Sequence, residues 1–284
     1  MFEVKSNERI READLILPAL VVLAQAKRFE TGGVALVDLE RDIGTVMPLR
    51  SVDMEVTPGD KVTRYQRTVR NLNSHQTLVK MGVAEVVAGP EPSYSYLSIT
   101  PAGMNHLFKH MVAMFDSHLP SLETLKAGEP HIKAVPGNER IGEAKLKEVA
   151  LLVLGILENK GEGAAVEPTV LRRGIKALSG VAFEFSEADI EMLPSRPGAK
   201  ADTRIDQVLR NMIGSNKTLT RTNYAERVDS GLRLTDEGRA HVVMDDLLGA
   251  VPPPPSVRKA LAALQEAAPQ PADVPAPRRS GPRP

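Results

Sequence analysis

The sequence predicts a mainly α-helical protein with small β-hairpins, built as two tandem copies of one unit. Three observations carry that expectation. Apolar residues recur at helical spacing over most of residues 10–250, with short stretches of period two between them. The stretch RYQRTVRNLNSHQTLVKMGVAEVV, Arg64 to Val87, has a worn second version, RIDQVLRNMIGSNKTLTRTNYAERV, that begins at Arg204. Aromatic residues make up only 4% of the chain and Trp is absent, while hydrophobic residues make up 42%. Cores of Leu, Val, Ile, Ala and Met suit small helical layers better than a large β-sandwich. A chain of 284 residues divides comfortably into two domains of roughly 100 to 150 residues.

The first helix is expected from Ile10 to Phe29, with Leu15, Ala19, Val22, Leu23 and Ala26 on one side and TGG at Thr31–Gly33 ending it. The apolar run Leu15 to Ala26 is too short to cross a bilayer and contains Pro18, so it reads as a buried helix. Val34, Val37, Leu39 and Ile43 give a short second helix, stopped by Pro48 and TPGD at Thr57. Tyr65, Val69, Leu72 and Val79 give a third helix from Val62 to Met81–Gly82, where Gly takes the left-handed closing conformation. The period then changes to two: VAEVVA, the turn GPEPS and YSYLSIT form a hairpin. Thr100 can cap and Pro101 can open a last helix over Ala102–Asp116.

Helix, helix, helix, hairpin, helix is the order of a winged helix-turn-helix, with the third helix as recognition element and the hairpin as wing. The second half repeats it. GEAKLKEVALLVLGILENKG gives a first helix and EPTVLRRGIKALSG a second, opened by Pro168. SEAD, Ser186–Asp189, resembles a capping box for a short extra helix toward Leu193. Arg204–Lys217 is the third helix, NYAERVDSGLRLT the wing and DEGRAHVVMDDLL the last helix. Arg70 and Asn71 align with Arg210 and Asn211, Thr77 with Thr218, Ala84 with Ala225, and Thr100 and Gly103 with Thr235 and Gly238. The expected organisation is a first winged-helix domain at 1–118, a linker at 119–142, a second domain at 143–250 and a disordered, Pro-rich tail at 251–284 with a basic end. SVRKALAALQEAA is the one helical stretch expected within that tail.

LPAL in the first helix, RTVRNLNSH in the third, a Gly before the hairpin and the closing ITPAG together resemble the N-terminal winged-helix domain of Mrr-type restriction proteins. VLRNMIGSNKTL and LTDEGR resemble the same domain more weakly, and the two resemblances cover about two thirds of the chain. The resemblance implies DNA binding, often beside a nuclease domain.

Zero Cys excludes disulfides, thiolate-held metals and a thiol nucleophile, and is compatible with a cytoplasmic location. The N-terminus has no signal-peptide core. A formal net charge of zero argues against indiscriminate coating of nucleic acid, so any DNA affinity must come from a local face. Such a face is expected on the third helix. With Tyr65, Val69 and Leu72 turned to the core, Arg64, Arg67, Arg70, Asn71, Asn73, His75, Gln76 and Lys80 are candidate contacts to double-stranded DNA, and no acidic residue lies between Lys61 and Lys80. A solvated helix face is the plainer alternative, with Arg70 and Asn71 recurring for structural reasons. In the second copy the candidates are Arg204, Gln207, Arg210, Asn211, Asn216, Lys217 and Arg221, diluted by Asp202 and Asp206. The first wing, with Glu91, Ser93, Tyr94 and Ser95, offers few cations; Arg221 and Arg227 make the second better.

Asp14, Gln25 and Lys27 match the D-x-n-Q-x-K skeleton of a metal-dependent nuclease, but within a helical pattern rather than on a strand. His106 and His110 sit at i and i+4, a spacing zinc can use, without a Cys or an implied carboxylate partner. No catalytic site, metal or cofactor is expected. The functional expectation is a non-enzymatic DNA-binding protein, a transcriptional regulator or the DNA reader of a restriction or defence system. The alternative is a protein-interaction scaffold whose Pro-rich tail recruits partners.

Overall fold

The computed structural model describes residues 9–56, 59, 61–132, 134–179, 183–193, 202–215, 218–247 and 252–267. The fold is mainly α-helical with small antiparallel sheets. Helix α1 (Glu12–Arg28) is buried from Ala19 through Ala26, together with Leu15 and Pro18. The sequence pattern pointed to a single apolar side. The helix is buried all round instead, because α2, α3, β3 and α5 pack about it as the axis of the first core.

Val34–Ala35 forms strand β1 and α2 (Leu36–Val46) follows it, so Val34 belongs to a sheet and not to the second helix. Val37, expected on the apolar face, is 64% exposed; Leu39, Ile43 and Met47 carry the packing. After a short 3-10 turn at Ser51–Asp53, Thr63 opens α3 (Arg64–Ser74): its Oγ1 accepts from Gln66 N at 3.2 Å while Gln66 Oε1 accepts from Thr63 N at 3.0 Å.

The third helix does not run unbroken to Gly82. It ends at Ser74, Gln76 adopts a left-handed φ of 52°, and a separate turn, α4 (Thr77–Lys80), follows. Glu12 at the start of α1 pins the break from outside: its carboxylate meets His75 Nδ1 at 3.0 Å and accepts from Thr77 Oγ1 at 2.9 Å. Gly82, at φ 70°, then turns the chain into β2 (Ala84–Val87) and β3 (Tyr96–Ile99). The sheet order is β1-β3-β2, antiparallel, with Val34 opposite Leu97 and Ala84 opposite Ile99. Thr100 caps α5 (Pro101–Asp116), its Oγ1 accepting from Gly103 N at 3.1 Å and donating to Gly82 O at 2.6 Å.

Helix α6 (Leu122–Ala127) occupies the segment read as linker, and that segment is tied down on the second copy. Arg173 donates to the carbonyls of Leu125 and Lys126 at 2.9 Å, and Val135 N donates to Phe185 O at 2.8 Å. The second copy then repeats the first: α7 (Glu143–Lys160), α8 (Pro168–Ala177), α9 (Arg204–Arg210) with a π-helical turn at Asn211–Ser215, α10 (Thr218–Arg221), the hairpin β4 (Ala225–Val228) and β5 (Gly231–Leu234), and α11 (Asp236–Val242) with a π-helical turn at Val243–Leu247. Val166 bridges Leu232 as Val34 pairs with Leu97. The SEAD stretch has the expected contact, Ser186 N donating to Asp189 at 3.0 Å, but opens a turn rather than a helix. Asp189 also accepts from Ile141 N at 3.2 Å, and Met192 bridges Thr203, so the chain is pulled across the copy.

The repetition reaches individual atoms. A buried aspartate joins the loop before the third helix to the residue before the first: Asp53 takes the backbone N–H of Ile10, and Asp189 that of Ile141. Glu143 meets Thr218 at 3.4 Å as Glu12 meets Thr77. A Cβ on Gly103 would lie 2.2 Å from Val83 O, and one on Gly238 2.0 Å from Tyr224 O, so both last helices start against a carbonyl that only glycine admits. These ties expose a repeat further upstream, NERIREA at Asn7–Ala13 and NERIGEA at Asn138–Ala144.

The copies pack through α5 and α11, with α5 also on α7 and the π-turn after α11 on α1. Gly155 in α7 admits the ring of Phe108, whose Cζ would be 2.2 Å from an added Cβ. Beyond the second copy, α12 (Pro255–Ala267) is the helix expected in SVRKALAALQEAA, and it docks on α2 of the first. Val257 is buried, and the buried Asp42 accepts from Ser256 N at 3.3 Å and from Ser256 Oγ, which holds the helix by its N-terminal turn. The tail beyond Ala267 lies outside the described residues. Among the described residues no helix is long and apolar enough to cross a membrane.

Candidate nucleic-acid interface

Tyr65, Val69 and Leu72 bury the inner face of α3 against α1 and α2, which turns the opposite face outward. Tyr65 fixes the rotation: its hydroxyl donates to Glu40 O. Arg67, Arg70 and Asn71 are exposed on α3, Arg64 is half-buried at its start, and His75, Gln76 and Lys80 are exposed over the break and α4. Asn73 is the exception. It is half-buried and lines a cleft, with its Oδ1 shielded from solvent.

The absence of acidic residues between Lys61 and Lys80 does not leave this face uncompensated, because other elements supply carboxylates. Glu55 lies 3.6 Å from Arg64, Glu40 lies 3.9 Å from Arg70, and Glu12 lies 3.0 Å from His75. Glu40 also accepts from Gln66 Nε2 at 2.8 Å. The two arginine pairs are long and each keeps one well-exposed member, Glu55 or Arg70, so they dilute the positive face without locking it. Glu12 had a signal in the sequence, the NERIxEA repeat; Glu40 and Glu55 had none, since only folding brings them to α3.

In the second copy Gln207, Arg210, Asn211 and Arg221 are exposed and Arg204 is half-buried, while Asn216 and Lys217 lie outside the described residues. Arg210 pairs with Asp202 at 2.7 Å. Asp206 is drawn inward to the buried Lys176, which also meets Glu129 at 3.0 Å. Burial pushes the Asp206 carboxyl up, but Lys176 and Thr203 outweigh it and hold it below the usual range. Three residues before the shared Arg-Asn pair, Arg67 of the first copy becomes Gln207 in the second. The first hairpin exposes Glu91, Ser93, Tyr94 and Ser95; the second exposes Arg227 on β4, which a two-residue turn at Asp229–Ser230 joins to β5.

Compared with protein-family models, curated proteins and solved structures, the chain matches none.

The enzyme-like motifs are placed differently from what shared chemistry needs. Asp14 caps α1 by accepting from Arg11 N at 2.8 Å, whereas Gln25 is buried three turns further along the same helix, about 16 Å by helical rise. One cation cannot bridge them. His106 and His110 share a face of α5, and burial, with His106 nearby, holds His110 below the usual imidazole range. Among the described residues no group of three or more His, Asp or Glu could hold a metal ion.

Proposed function

We propose that the protein binds double-stranded DNA without catalysing a reaction, acting as a transcriptional regulator or as the DNA reader of a restriction or defence system. Two winged-helix units in tandem form a pseudo-dimer within one chain. The observation that carries this is the outward face of α3, where Arg64, Arg67, Arg70 and Asn71 are presented by a helix whose inner side is locked to the core, with Gln76 exposed at the break just beyond it. Arg matches guanine edges or phosphates, and Asn and Gln match adenine. The resemblance of RTVRNLNSH and ITPAG to Mrr-type DNA-binding domains points the same way.

The second copy contributes less, because Asp202 holds Arg210 and Gln207 replaces an arginine. If both third helices enter major grooves on one face, the half-sites lie about 34 Å apart. The test is fluorescence anisotropy of the full chain against random duplex DNA at two salt concentrations, beside Arg64→Ala/Arg67→Ala. Salt-sensitive binding that the double variant loses supports the proposal. No binding by either protein at low salt overturns it and favours the interaction scaffold.

A further inference from the structure

The segment that leads into the first helix of each copy is the same tetrapeptide, NERI, at 7–10 and at 138–141. Packing accounts for its isoleucines. Ile10 is buried, Ile141 is half-buried, and their backbone N–H groups are held by the carboxylates of Asp53 and Asp189. Packing does not account for the arginines. Arg9 and Arg140 are both exposed, and neither guanidinium meets a hydrogen-bond or ion-pair partner among the described residues. The chain is extended as it enters each helix, at Arg11 and at Gly142. Successive side chains of an extended chain point to opposite sides, so an isoleucine turned inward turns the arginine before it outward and sends the preceding glutamate the other way. Exposure alone does not preserve charge between the copies: five residues on, the exposed Asp14 is replaced by the exposed Lys145.

The same ties place each arginine beside a third helix. Asp189, which takes the N–H of Ile141, accepts through its own carbonyl from Ile205 N at 2.9 Å, in the first turn of α9. Two residues after each isoleucine, Glu12 meets Thr77 at 2.9 Å and Glu143 meets Thr218 at 3.4 Å, on α4 and α10, which follow the third helices. The NERI segment is thereby fastened along the side of the third helix, and its outward arginine stands at that helix's flank.

We propose that Arg9 and Arg140 are a pair of backbone clamps, each taking a phosphate on the strand that borders the groove its third helix enters. This rests on the DNA-binding proposal and extends it to the second copy. A guanidinium grips a phosphate through charge-assisted hydrogen bonds and has no base preference there. The third helices have diverged, Arg67 giving way to Gln207 and Arg210 being held by Asp202, whereas the clamps have not. The first copy therefore reads bases and grips the backbone, and the second chiefly grips.

The experiment is anisotropy of the full chain with random duplex DNA from about 50 to about 200 mM salt. It compares the unaltered protein with Arg9→Ala, Arg140→Ala and the double variant, beside Lys109→Ala/Lys126→Ala, which removes the same charge from α5 and α6. Each lost phosphate contact lowers the slope of log K against log salt by about 0.9. The fall in affinity across that range should be about 3.5 times smaller for each single variant and about twelve times smaller for the double one. Arg9→Lys/Arg140→Lys keeps both charges and should keep the slope, which separates a lost contact from a disturbed fold. A slope that the double alanine variant leaves unchanged, or lowers no more than the lysine control does, overturns the clamps. An effect of Arg9→Ala without one of Arg140→Ala overturns the role given to the second copy. Failure of the underlying proposal looks different: the unaltered chain then shows no binding at low salt, and the clamps fall with it.

Discussion

Removing the carboxylates that dilute the α3 face should tighten DNA binding, and the structure sets the size of the effect. Glu55 and Glu40 stand 3.6 and 3.9 Å from Arg64 and Arg70, in pairs that each keep one well-exposed member, Glu55 and Arg70. Exposed pairs of this kind are worth about 0.2–1 kcal/mol. With about 0.5 kcal/mol released at each site, Glu40→Gln/Glu55→Gln should bind random duplex about fivefold more tightly at low salt. Each arginine freed to meet a phosphate steepens the dependence of log K on log salt by about 0.9. Glutamine keeps an acceptor for Gln66, so the local fold is preserved. The assay is anisotropy over a salt series, with Glu123→Gln/Glu162→Gln, on α6 and just beyond α7, as a control for the same change in net charge elsewhere. If the control tightens binding as much, or the Glu40/Glu55 variant binds no better than the unaltered protein, DNA does not meet α3 and the proposed interface is wrong.

Other consequences concern stability. Gly103→Ala and Gly238→Ala each force a methyl against a backbone carbonyl that cannot turn aside, and thermal denaturation should show each losing at least about 1–3 kcal/mol. Burial raises the Asp53 carboxyl, but Arg50 and the N–H groups of Arg50 and Ile10 more than offset it, so its pKa is lowered on folding. A lowered carboxyl stabilises above its unfolded pKa, about 3.9, and loses that contribution as pH falls through the folded value. Asp53→Ala should therefore cost about 2 kcal/mol at pH 7 and progressively less below pH ~4 by urea denaturation; a deficit that does not shrink in acid contradicts this. Ser256→Ala should leave Asp42 buried without its hydroxyl donor and raise amide exchange over α12 and the face of α2 beneath it, while exchange in α8 stays unchanged.

The element types were legible in the sequence because period and capping are local. Thr100, Gly82 and the Ala84–Ile99 hairpin announce themselves within a few residues. What was not legible depends on contacts made at a distance. The break at Gln76 is held by Glu12, from another helix, and no periodicity in RNLNSHQTLVK marks it. The strand at Val34–Ala35 is too short to show alternation and exists because β3 accepts it. The helix at Pro255–Ala267 was legible, but its docking was not, because that depends on Asp42 and the floor beneath Val257. The charge of the α3 face was overestimated for the same reason, its counter-charges arriving from α1, α2 and the loop before α3.

A chain that contains its own repeat separates structural residues from residues chosen for something else. Where both copies share a residue and its contact, packing accounts for it: Glu12 and Glu143 each meet a threonine, Asp53 and Asp189 each take an isoleucine N–H, and Gly103 and Gly238 each pass a carbonyl. Arg70 and Arg210 fail that criterion. They share a position and exposure, but Arg70 leans loosely toward Glu40 of α2 while Arg210 is held at 2.7 Å by Asp202, just before its own helix. Among the described residues no common contact accounts for an arginine standing there twice, which is what the proposed outward role of the third helix requires.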